Sequence, residues 1–227
     1  MNTVLGESLF YIYFVYGVSF LVMSYLILNG IKKATAISLV ATFYMLAFFG
    51  ITHGFVELVD WVRFILKVGG HGEIVVLTYL SQSLMIASFV LLLQFAVNLL
   101  TFKSGKKTAF RFIPAGLFVV YIAVLFFTNT RDISRAGLLA RYGFGFAGAL
   151  LTGIALSYLA NSIKALGDST ATGGLLVSAA GFGLYSIFAG IIIQPIAGLP
   201  IQLFRSACAF AIAISSFYFL GVFRAAE

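Results

Sequence analysis

Residues 34–66 read ATAISLVATFYMLAFFGITHGFVELVDWVRFIL, 33 residues with no proline and charge only from Glu57 onward. As an α-helix such a run rises ~50 Å, well beyond the ~30 Å hydrocarbon core of a bilayer. It reads as a transmembrane helix that either tilts or projects its end, from about Glu57 onward, into an interface. Counted from residue 34, His53 lies ~28 Å along the helix, near one edge of the hydrocarbon. His53 and Glu57 are one helical turn apart and Asp60 follows three residues on, so the three share a stripe. Ionisable groups at membrane depth are costly and face a bundle interior, a partner or a cavity. The chain has only seven acidic residues and two histidines, which makes this concentration its strongest functional signal.

The rest of the chain fits the same environment. Of 227 residues, 62% are hydrophobic and 9% charged, with a mean hydropathy of +1.09. A water-soluble domain needs far more charge on its surface, so the composition points to a polytopic membrane protein. Aromatic residues make up 16%, suited to lipid-facing surfaces and interfacial belts. The expected architecture is all-α: a single domain over 1–227, a bundle of seven transmembrane helices at about 8–29, 34–66, 73–101, 109–129, 135–163, 171–194 and 200–223. The first ten residues have no positive region and the first apolar run is too long for a signal peptide, so it is expected to stay as a spanning helix. The breaks are polar or glycine-rich, and the last, 194–200, holds two prolines and a glycine that no helix continues through. The single Cys208 lies in an apolar stretch and reads as a packing residue.

The net charge of +7 comes from basic residues scattered through short loops, a membrane-orientation pattern and not a nucleic-acid surface. With the N-terminus outside, the inner loops and tail hold Lys32, Lys33, Lys103, Lys106, Lys107, Arg111, Lys164 and Arg224. The outer segments hold Lys67, Arg131 and Arg135, with Arg63 near a helix end. The positive-inside rule therefore predicts a cytoplasmic C-terminus and puts the His53 stripe in the outer half.

Several further residues belong with that stripe. Trp61 reads as an interfacial anchor, and Gly50 and Gly54 flank His53, leaving room for a neighbouring helix or a flat ligand. His71 and Glu73 open the third span on the same side, beyond Gly69-Gly70. Three kinds of reading stay open. His53 and Glu57 can bond each other or a backbone group, with His71 solvated. His53, His71 and a carboxylate have the ligand types of a divalent-metal site, and two neutral imidazoles are the usual axial ligands of b-type haem. An organic ligand is the remaining choice. Arg141 in the fifth span and Arg205 early in the seventh must snorkel, pair with an acid or hold an anionic group; pairing with Glu57 or Asp60 is the simplest expectation. Gln202 shares the face of Arg205.

Elsewhere the pattern is one of packing. Gly145, Ala149, Gly153 and Ser157 form a small-residue ladder, and Gly174-Ser178 and Ala179-Gly183 repeat it in the sixth span. Gln82, Ser83, Gln94 and Asn98 are expected to bond between helices. No series of ionisable groups crosses both leaflets, which argues against a pump or transporter. HExxH, GxSxG and P-loop motifs are missing, so no catalytic role is expected. A retinal protein needs a Schiff-base lysine within a span, and every lysine falls in a loop or at a helix end.

Three segments, FFGITHGFVELVDW, ARYGFGFAGALL and LPIQLFRSACAF, together resemble the N-terminal multi-helix membrane sensor domains of bacterial sensor histidine kinases and diguanylate cyclases. The resemblance covers nearly the whole chain in the right order. It selects His53, Gly54, Glu57, Arg141, Tyr142, Pro200, Gln202 and Arg205. It departs at Leu58, where the family pattern has a tryptophan directly after the glutamate; here Trp61 comes later. The resemblance implies a homodimer in the bacterial inner membrane, in contact with lipid. Its last helix would lead to a cytoplasmic kinase or cyclase, fused beyond Glu227 or separate. The expected function is therefore a sensor module. Its outer pocket, built from His53, Glu57, Asp60, Trp61, Arg141, Tyr142, Gln202 and Arg205, would relay through the seventh span. The alternative is a haem- or metal-binding membrane subunit with His53 and His71 as ligands.

Overall fold

The computed structural model describes residues 3–32, 37–102, 110–128 and 132–219. Lys33, Lys103, Lys106, Lys107, Arg131 and Arg224, which entered the orientation argument, lie outside them. The described chain is helical, with no strand beyond an isolated bridge between Ile196 and Leu199. Helix α1 spans Thr3–Ile31, α2 Ile37–Val68, α3 Val75–Leu100 and α4 Ile113–Phe127. Next come α5 (Ile133–Ala140), a π-helical turn π1 (Arg141–Phe146) and α6 (Ala147–Lys164), one continuous rod. Helix α7 (Ser169–Ser186) runs into a second π-turn, π2 (Ile187–Ile191), and α8 spans Ile201–Phe219. Six of these rods, α5–π1–α6 and α7–π2 each counting as one, are long and apolar enough to cross a membrane. At 15 residues α4 falls short of the ~20 that a full crossing requires.

Contacts between the rods fix their directions. Gly17 meets Gly54, and Trp61 packs on Phe10 and Phe14, so α1 and α2 are antiparallel. His53 bonds Ser88 and Asp60 bonds Ser81, which makes α3 antiparallel to α2. Along α3 and the α5–π1–α6 rod both numberings increase together: Gln82 lies on Gly137, Phe89 on Gly145 and Leu93 on Gly148. These two rods are parallel, so the chain between Leu100 and Ile133 must travel back. Helix α4 makes that return: Arg111, just before it, takes a bond from Gln94 near the end of α3, and Tyr121 within it bonds Ala136 near the start of α5. A 15-residue helix covers ~22 Å of the ~27 Å from Gln82 to Leu100, and flanking residues supply the remainder. The end holding the start of α1 is called the upper end below.

Burial of apolar surface does not drive helices together in lipid, where close packing and hydrogen bonds carry the association. Glycine supplies the closeness. A Cβ on Gly54 would come within 2.9 Å of the Gly17 carbonyl oxygen, and one on Gly17 within 3.0 Å of that of Gly54. Gly153 does the same against Ala179 and Gly183, so the small-residue ladders of the fifth and sixth spans face each other. The room flanking His53 is thus filled by α1 at Gly54 and by Met23 and Ser24 at Gly50, and not by a flat ligand.

Candidate functional site

His53 is 1% exposed and sits among the rings of Phe20, Phe49 and Phe89, with centroids 5.0–5.3 Å away. A polar ring in such surroundings must have its nitrogens satisfied. Nδ1 lies 2.8 Å from Ser88 Oγ, and Nε2 lies 2.7 Å from the Tyr185 hydroxyl. Ser88 donates its only proton to the Met85 carbonyl at 2.7 Å, so toward His53 it accepts, and Nδ1 carries a hydrogen. The simplest assignment for the other side is an accepting Nε2, with Tyr185 donating to it and Tyr16 donating to Tyr185 across 2.6 Å. A directed chain results: Tyr16, Tyr185, His53, Ser88, Met85 carbonyl. It joins α1, α7, α2 and α3 through side chains that are all buried.

Glu57, 6% exposed, lies beside this chain with Oε1 3.6 Å from His53 Nε2, beyond hydrogen-bond range. Glu57, Tyr16, Tyr185, Arg141 and Arg205 are all within electrostatic reach of one another. The expected pairing of the arginines with Glu57 or Asp60 is not what the structure contains. Among the described residues, no carboxylate oxygen lies within 4.0 Å of either guanidinium. Instead Arg205 Nε donates to the Phe188 carbonyl at 2.6 Å and Arg141 Nη1 reaches the Ala189 carbonyl at 3.5 Å. Both carbonyls belong to π2, in the last turn of a helix, where carbonyls lack partners along the chain and the dipole favours cations. The two π-turns pack on each other, with Gly190 against the backbone of Phe146. π-Turns are rare and gather at functional sites, and here the end of π2 presents the acceptors for both arginines.

The remaining expected residues divide. Gln202 donates to the Tyr13 hydroxyl at 3.1 Å, one turn from Arg205. Asp60 accepts from Ser81 at 2.8 Å and from Arg63 at 2.7 Å, and so belongs to a second cluster nearer the upper end. There Arg63 also bridges to Glu73 at 3.1 Å, and Thr78 donates to the same carboxylate at 2.8 Å. The Thr78 bond first, then Arg63, hold the Glu73 carboxyl below its usual range. Tyr13, Asp60, Arg63, Lys67 and Glu73 line a cleft of about 350 Å³ that opens at the upper end. Tyr13, in the wall of this cleft, is the acceptor for Gln202, which lies one turn from Arg205. Trp61 packs on α1 with its indole Nε1 unpartnered, away from the arginines, and Tyr142 is 46% exposed on the outer face of π1.

The two histidines are not brought together. His71 is exposed in the α2–α3 turn, beyond the end of α2 and ~22 Å or more along the helix axis from His53. Both nitrogens of His53 are already hydrogen-bonded, and no group of three or more His, Cys, Asp or Glu among the described residues is placed to hold a metal. A haem or metal bound through His53 requires breaking the chain to Ser88 or Tyr185.

Sequence reading missed Tyr13, Tyr16, Tyr185, Ser81 and Ser88. It expected Gln82, Ser83, Gln94 and Asn98 to join helices, but Gln82 Oε1 is unpartnered, Ser83 faces outward and Gln94 bonds Asn98 on its own helix, reaching outward only to Arg111. The signal available was phase: Ser81, Met85, Ser88 and Leu92 share one buried stripe of α3. Compared with protein-family models, curated proteins and solved structures, the chain has no match. The site is therefore interpreted from its own geometry.

Proposed function

We propose that this chain is a membrane-embedded sensor module: a signal received in the polar core near the upper end shifts α8 against α2 and the π-turns, and α8 carries that shift to the opposite face. One observation carries the reading. Among the described residues, the buried side chains with charged or imidazole heads are His53, Glu57 and Arg205, all toward the upper end, whereas every other buried polar head outside the tyrosines is a serine or threonine hydroxyl. A transport path needs polar groups through both halves of the bundle; a receiver needs them at one end and a rigid rod leaving at the other. The hydrogen-bonded chain from Tyr16 to Ser88 and the arginine contacts to π2 tie six of the rods to one small volume. A change of occupancy there acts on all of them at once.

In this reading the chain crosses the membrane seven times, α4 included, with the upper end outside and the more basic end in the bacterial cytoplasm. The module works as a homodimer in the inner membrane, and the output is a cytoplasmic kinase or cyclase, fused or separate. Coupling requires two helix arrangements with different affinities for the signal. Spin labels at Tyr158→Cys on α6 and Phe217→Cys on α8, both exposed, in a Cys208→Ser background report on this directly. The expectation is two discrete distance populations whose ratio changes in Arg205→Lys and His53→Asn. A single distribution, unchanged or merely broadened in both variants, contradicts the sensor reading.

A further inference from the structure

We propose that Arg141 and Arg205 form a binding site for an oxyanion, a carboxylate or phosphodiester head; this rests on the sensor reading and names the class of ligand that would bias it. The argument starts from charge. Arg141 and Arg205 lie within electrostatic reach of each other, and the one carboxyl group near both that is not held by Arg63 is Glu57. Two cations and one carboxylate leave the core with an excess of positive charge even when Glu57 is ionised. Isolated charge away from water costs several kcal/mol, and it is retained where it has a partner or a use.

The donors point the same way. Arg205 spends only its Nε–H, on the Phe188 carbonyl, and Arg141 spends only one Nη, at the long distance of 3.5 Å. The remaining guanidinium N–H groups have no acceptor among the described residues, and the capping of π2 does not use them. A guanidinium fork fits an oxyanion in a bidentate manner, and two forks give the geometry a second anchor. The start of α8, a turn before Arg205, adds the positive end of a helix dipole. Pinning each guanidinium to a π2 carbonyl orders the pair before a ligand arrives, which removes part of the entropy that binding otherwise costs.

Two routes reach this pair. On the cleft side, Tyr13 in the wall below Asp60, Arg63 and Glu73 bonds Gln202, one turn from Arg205, so opening that bond would give access. From the lipid side, Arg141 is only half-buried, and Tyr142, Ile187 and Ile191 beside it are exposed apolar surface on which an acyl chain can lie. A water-soluble carboxylate suits the first route and an amphiphile the second. Glu57 enters with a defined sign: as a competing negative charge it weakens oxyanion binding, so its neutralisation tightens it.

The test measures thermal stability of the full chain in dodecyl maltoside micelles, which carry no phosphate, against acetate, octanoate and, as an uncharged control, octanol. The site predicts a saturable rise in Tm with octanoate or acetate and none with octanol, following the linkage of stability to ligand concentration. Arg141→Gln and Arg205→Gln lose the rise, Arg205→Lys requires at least tenfold more ligand, Glu57→Gln requires less, and Arg135→Gln, an exposed cation remote from the core, leaves it unchanged. Micelles doped with phosphatidylglycerol distinguish the source: a headgroup occupant raises Tm without added ligand, only when both arginines are present, and blunts the octanoate effect. A bundle that changes helix populations yet ignores all these oxyanions overturns this site and leaves the sensor reading standing. Equal stabilisation by octanoate and octanol, or an octanoate effect that survives in both Arg→Gln variants, overturns the site as well.

Discussion

At the level of single residues, His53 organises the core because both of its nitrogens are committed. Removing either partner leaves a buried polar atom unsatisfied, at a cost of ~1–3 kcal/mol. Tyr185→Phe should be the more damaging change, since it strands His53 Nε2 and the Tyr16 hydroxyl together; Ser88→Ala strands Nδ1–H and frees the Met85 carbonyl. Each is expected to lower the thermal midpoint of the purified protein, while Tyr142→Phe, on the outer surface, should leave it unchanged. Residue chemistry was partly legible from the sequence. His53, Glu57, Arg141 and Arg205 declared themselves because charge is rare in a chain that is 9% charged. Tyr16 and Tyr185 did not, because eleven tyrosines look alike until the fold says which ones are 0–1% exposed.

At the level of elements, the positions of the helices followed from hydropathy, since an apolar run must match the bilayer and polar breaks must leave it. Their contacts followed only where glycine marked them. Gly54→Ala pushes a methyl group to within 2.9 Å of both the Gly17 carbonyl, which is backbone, and the Leu21 side chain. It should cost ~1–3 kcal/mol, as overpacking does. Gly173→Ala, which meets nothing within 4 Å, should be neutral; parallel unfolding of the two variants in detergent checks the difference. The π-turns escaped sequence reading altogether. An extra residue per turn leaves the 3.6-residue pattern nearly intact over a short stretch, and Gly145 reads as one rung of a packing ladder. The arginines were expected to seek carboxylates because hydropathy carries the sixth span on to 194; the rod ends at Ile191 instead, and the last-turn carbonyls of Phe188 and Ala189 are left to accept from them.

At the level of the whole molecule, the proposed sensor function rests on asymmetry between the two ends. The buried ionisable groups collect in the upper part, and hydroxyl pairs such as Ser178–Ser215, 2.6 Å apart, hold the other. This bond ties α7 to α8 without introducing charge, so in the proposed sensor a displacement started at Arg205 would travel along a rod that is packed but not electrostatically pinned. Parallel alignment of α3 with the α5–π1–α6 rod makes α4 a return element, a feature that hydropathy alone left as one more apolar run. The account depends on His53 being bonded on both sides within this core, and the presence of only two histidines makes that claim directly measurable. Nitrogen-15 NMR of histidine-labelled protein in lipid bilayers should show one imidazole protonated at Nδ1 and accepting at Nε2, with the Nε2 signal moving in Tyr185→Phe and the Nδ1 signal in Ser88→Ala. Two solvent-like imidazoles, or no imidazole whose nitrogens respond to either substitution, would contradict it.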